Sequence, residues 1–137
     1  MRARRLIATA SLLLCLGVAG CGRAEDRSQA TGVAERFFAA VESGDGAAAC
    51  RALAPDTRKA LEDDEQKPCR EAITGLEIEP GAITRLDLYL TNGEAELDNG
   101  DSAFLSLTAE GWRLSAVGCK PADGPPADVP MECEAEA

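Results

Sequence analysis

The chain has 137 residues, with 24 acidic against 14 basic side chains, a formal charge of −10 and no histidine. That balance excludes a nucleic-acid partner, which needs clustered Lys and Arg over phosphates, and the missing imidazole excludes every Ser-His, Cys-His and His-metal site within the chain. Phe37, Phe38, Tyr89, Phe104 and Trp112 are the complete aromatic set, a thin supply for a core.

Arg2, Arg4 and Arg5 make a cationic N-terminus, and Leu6 to Ala19 is then free of charge and rich in leucine. About 14 apolar residues rise ~21 Å as a helix, short of the ~30 Å of hydrocarbon a permanent span must cross. With its small-residue exit the segment 1–20 reads as a cleaved secretory signal. Val18-Ala19-Gly20-Cys21 has the form of a bacterial lipobox. Cys21 is therefore expected to become the first mature residue and to carry the lipid that holds the protein on the extracytoplasmic face of the cell membrane. Arg4-Arg5 leaves both Sec and twin-arginine export open.

Loss of the three signal-segment arginines leaves 11 bases against 24 acids, a charge of −13 over residues 21–137. Anionic headgroups repel such a domain, so the lipid on Cys21 is its expected attachment. Residues 21–32 (CGRAEDRSQATG) are polar and aperiodic, and are expected to form a flexible tether. Fully extended, its eleven residues after Cys21 reach ~38 Å.

From residue 33 the pattern turns helical. Val33, Phe37 and Val41 recur at helical spacing, with Ala34, Phe38 and Ala40 widening the stripe and Glu35, Arg36 and Glu42 facing away. Gly44 stops this helix, Asp45 caps a second over Gly46–Leu53, and Pro55 opens a third through Leu61. Asp63-Asp64-Glu65 is a solvated bend, and a short fourth helix runs from Pro68 to near Gly75. Gly44 to Ala49 spells G-x-G-x-x-A, but a helix and not a strand precedes it, so it reads as a helix stop and restart.

The period then changes to two. Residues 82–90 alternate Leu86, Leu88 and Leu90 with Arg85, Asp87 and Tyr89, a half-buried strand. Asn92-Gly93 is the expected hairpin turn, Glu94–Leu97 the return strand, Asp98–Asp101 the next turn and Ala103–Thr108 the third strand. Glu110-Gly111 turns into a fourth, Trp112–Val117, and a short strand near Leu76–Ile78 could join them. Helices first and an antiparallel meander second predict an α+β domain over residues 33–119, its helices packed on one face of a four-stranded sheet. The proline-rich tail, 120–137, is expected to lack regular structure, with Glu132, Glu134 and Glu136 in water.

Cys15 leaves with the signal and Cys21 takes the lipid, so four cysteines remain: Cys50, Cys69, Cys119 and Cys133. An even number in an exported chain predicts two disulfides. The sequential pairing, Cys50–Cys69 and Cys119–Cys133, closes two local loops. Without histidine or a Cys-x-x-Cys pair, no metal is expected on them, and no cofactor motif appears.

The runs 35–55 (ERFFAAVESGDGAAACRALAP) and 111–121 (GWRLSAVGCKP), with Met131-Glu132-Cys133-Glu134, resemble a group of small actinobacterial lipoproteins. Their helices-then-meander order is similar to the NTF2-like cone fold of the SnoaL and ketosteroid-isomerase superfamily. The resemblance implies a sheet curled around a long first helix with a pocket at its wide end, where Phe37, Phe38, Tyr89 and Trp112 are the candidate lining. No catalytic residue of that superfamily has a match to carry over. The expected function is a non-catalytic binding module for a small apolar ligand or an envelope protein. The alternatives are an isomerase- or dehydratase-type enzyme using Asp87 and Tyr89, and a structural accessory lipoprotein.

Overall fold

The computed structural model describes residues 21–121 and 131–137, so the predicted signal segment and Pro125, Pro126 and Pro130 lie outside the described residues. Four helices come first: α1 (Cys21–Ser43), α2 (Gly46–Ala52), α3 (Pro55–Glu65) and α4 (Cys69–Ala72), the last running into a 3-10 turn at Ile73–Gly75. Five strands follow: β1 (Ile83–Tyr89), β2 (Asn92–Leu97), β3 (Ser102–Thr108), β4 (Gly111–Cys119) and β5 (Ala135–Glu136). They form one antiparallel sheet in the order β1-β2-β3-β4-β5. The fold is α+β with an open sheet, one strand larger than the expected meander.

The first helix departs most from expectation. Residues 22–32, read as a tether, are helical and continuous with the predicted helix. Their apolar content is too low to show a stripe, and polar contacts to the sheet hold them instead. The Trp112 indole N–H donates to Asp26 Oδ1 at 3.3 Å, and Arg27 donates to the Leu86 carbonyl at 2.6 Å. Ala30 is fully buried and starts the stripe one turn before Val33, continuing through Ala34, Phe37, Phe38 and Ala40.

Gly44 ends α1 with φ +71, and the Asp45 side chain accepts from Ala48 N–H at 2.9 Å to cap α2. A Cβ on Gly46 would lie 2.0 Å from the Arg70 carbonyl oxygen, so glycine here lets α2 and α4 touch backbone to backbone. The Cys50–Cys69 disulfide closes the same contact. Pro55 occupies the first turn of α3, where a missing N–H costs nothing. On its exposed face Lys59 pairs with Asp63 one turn on, and that hydrogen bond raises the ammonium pKa.

The helix layer is sewn to β4 by hydrogen bonds to its carbonyls. Ala54 N–H donates to the Leu114 carbonyl at 2.7 Å, and the fully buried Thr57 hydroxyl donates to the Ser115 carbonyl at 2.9 Å. Between the layers lie Phe37, Leu53, Leu105, Trp112, Leu114 and Val117, each under 2 % exposed.

In the sheet, the β1–β2 turn falls at Leu90-Thr91 and not at Asn92-Gly93, which pair with Tyr89 and Leu88 inside the ladder. Gly93 serves packing: a Cβ there would lie 2.6 Å from Leu88 Cδ2. Leu90, expected on the buried face, is 95 % exposed at the turn. The Leu76–Ile78 stretch forms no strand. The chain end is not free in water throughout. Cys119–Cys133 folds it back, Glu134 N–H donates to the Val117 carbonyl at 3.0 Å, and β5 buries Ala135 beside α3. Two disulfides are stable outside the reducing cytoplasm. Among the described residues no helix is long and apolar enough to cross a membrane.

Candidate functional site

The four aromatics expected around a pocket do not share one. Phe37 is fully buried and Trp112 is 1 % exposed, both as core. Phe38 meets Phe37 edge-on, ring centroids 5.2 Å apart, and its outer side lines an open groove of ≈ 520 Å³ with Glu35, Glu42, Pro80 and Ile83. Tyr89 is 61 % exposed at the far end of β1.

The carboxylate and phenol considered for proton transfer are also apart from any enclosure. Asp87 is held by Arg85 at 2.7 Å, and Arg85 reaches Glu96 at 3.5 Å. In the Asp98–Asp101 turn, Asp98 Oδ1 accepts from Ala82 N–H at 3.0 Å and Asn99 Oδ1 from Asp101 N–H at 3.0 Å. These groups are occupied in shaping the loop. Among the described residues no three acidic, cysteine or histidine side chains gather as a metal site.

What the fold does bring together is an apolar sheet end. The strands place the turns at Leu90-Thr91 and Ala109-Glu110 at the same end, and Leu107 N–H donates to the Thr91 carbonyl there at 2.8 Å. Tyr89, Leu90 and Leu107 are the exposed large hydrophobics of the described residues, and all three lie at this end. Leu90 also carries φ +47. A left-handed leucine costs about 1–2 kcal/mol, strain that an asparagine or glycine would avoid in a two-residue hairpin.

The same end receives the start of α1. Asp26 meets Trp112, the partner of Leu107 in the β3–β4 ladder, whereas Phe38 and Glu42 reach Pro80–Ile83 at the opposite end. From Arg27, whose guanidinium reaches the Leu86 carbonyl, the helix continues six residues toward Cys21, or ~9 Å. From Leu86 the strand continues four residues to Leu90, or ~13 Å. Glu79, Asp98, Asp101 and Glu132 stand at the other end, beside the β2–β3 turn and the Cys119 corner. Sequence reading missed Leu90 and Leu107 because period-two alternation assigns a leucine to the core without regard to where the strand ends.

No family model matches the chain, and no curated protein and no solved structure matches it.

Proposed function

We propose that the protein is a lipid-anchored module of the extracytoplasmic envelope face, a non-catalytic binder whose NTF2-like domain rests against the bilayer on its Tyr89–Leu90 hairpin tip. The observation that carries this reading is the unbroken α1, which joins Cys21 to the core and starts at the apolar sheet end. A flexible tether would let the domain roam. A helix bonded to Leu86 and Trp112 leaves it little freedom, so lipid on Cys21 would bring Leu90 and Leu107 to the headgroups.

The chemistry at that end suits an interface. Tyrosine and leucine partition where a polar rim meets acyl chains, and each fully buried leucine is worth about 1.5–3 kcal/mol. Arg23 lies two residues from Cys21, while Glu25 and the exposed Glu110 bring negative charge to the same end, so the lipid and the leucines rather than charge carry the contact. The order of helices and meander, with α1 lying across β1 and β4, supports the NTF2-like reading. The burial of Phe37 and Trp112 within the core favours a partner met at the surface over an apolar ligand held among the expected aromatics.

Replacement of Cys21 by serine tests the anchor. The variant is expected to leave the membrane fraction, because without the lipid the hairpin tip alone gives only weak, reversible binding. A Cys21→Ser chain that sediments with membranes as the parent does would refute the anchor.

A further inference from the structure

Three arginines line one groove: Arg36 from α1, Arg51 from α2 and Arg113 from β4. Val33, Ala48 and Ala52 complete it, its volume is ≈ 260 Å³, and no acidic residue lines it. In a chain of 24 acids and 14 bases this runs against composition. Like charges gathered around one space repel.

The usual relief for an arginine on such a surface is a carboxylate, as Arg85 has in Asp87 and Glu96. Among the described residues, Arg36 and Arg51 have no carboxylate within salt-bridge distance, and Arg113 reaches only Glu110, at 3.8 Å. Arg113 is anchored from behind, donating to the Trp112 carbonyl at 2.8 Å, and its Nε is buried without a partner. A buried N–H left unpaired costs about 1–3 kcal/mol, more on a charged group. Arg36 lies back along its helix over Gly32, where a Cβ would come 3.1 Å from Nη1. The absence of a side chain at Gly32 makes room for that guanidinium.

We propose that this groove binds a small, multiply charged oxyanion. Guanidinium forks match carboxylate and phosphate oxygens bidentately, so one arrangement takes a phosphate ester or a di- or tricarboxylate. The volume equals about nine waters at ~30 Å³ each, which suits a short carbon skeleton on the Val33–Ala48–Ala52 floor and excludes a polymer. The site supplies the binding module with a ligand class, and it stands whether or not Cys21 carries lipid.

Calorimetric titration of the full chain in neutral detergent tests it, with inorganic phosphate and citrate as probes and ionic strength held constant with chloride. Saturable binding of at least one anion is expected. Arg51→Gln and Arg113→Gln should each weaken it about tenfold or more, while Lys67→Gln, outside the groove, leaves it unchanged. Should Arg113→Gln melt early, the exposed Arg51 decides the matter, since its removal takes nothing from the core. Absence of saturable heat from both anions, or parental affinity in Arg51→Gln, overturns the proposal.

Discussion

A chain with both disulfides reduced is expected to lose about 6 kcal/mol of stability, roughly 3 for each loop of this size. The bridges close sequence separations of 19 and 14 residues. A domain of this length holds only about 5–15 kcal/mol in total, so reduction consumes between about two fifths and all of it. The structure shows why the bridges sit where they do. Helix α4 has only four residues, and a helix that short has no stability of its own. Cys50–Cys69 fixes it against α2 at the Gly46–Arg70 contact. Cys119–Cys133 returns the chain end so that the two-residue β5 can cover β4. Thermal unfolding followed by circular dichroism should show a midpoint lower by roughly 25 °C or more after reduction. A midpoint within a few degrees of the oxidised protein would show that the non-covalent core suffices.

Trp112→Ala is expected to cost about 4 kcal/mol, within the range for emptying a large aromatic site, and to lower the midpoint by roughly 15 °C or more. Trp112 is the largest of the fully buried side chains and begins β4 beneath α1. Its loss removes core volume and also frees Asp26, one of two polar contacts that hold the start of α1 to the sheet. Amide hydrogen exchange separates the two effects. Trp112→Phe keeps most of the volume and loses only the indole donor, so it should expose the amides of residues 22–29 while the core strands stay protected. Equal protection of residues 22–29 in Trp112→Phe and the parent would mean that the indole–Asp26 bond does not hold the helix.

The meander and the later helices were legible because their signals are local. Gly44, Asp45 and Pro55 act within one turn of themselves, and Leu86, Ala95 and Leu105 obey the two-residue period of a half-buried sheet. The missed features all depend on partners distant in sequence. Residues 22–32 have no apolar stripe, and their helix is held by residues 59 and 86 positions further along the chain. Asn92-Gly93 has turn chemistry, yet its glycine answers to the Leu88 side chain across the ladder, and the turn moves to Leu90-Thr91. Ala135 pairs with Val117 only because a disulfide delivers it.

The candidate site was the least legible part. Aromatics are expected to gather around a pocket, but a chain with five of them uses Phe37 and Trp112 for packing first. Arg36 was read as an outward charge, which it is. Nothing within its own helix shows that Arg51 and Arg113 come to the same groove from other elements.

The central claim is that Cys21 and the Tyr89–Leu90 tip meet the bilayer together. Leu90→Trp places a fluorophore at the tip, where the parent's own tryptophan, 1 % exposed, stays within the core. The lipidated chain in vesicles containing brominated acyl chains should then show emission that is blue-shifted and quenched well beyond the parent's. Emission from the added tryptophan at the wavelength of a fully hydrated indole, with no more quenching than the parent, would contradict the account.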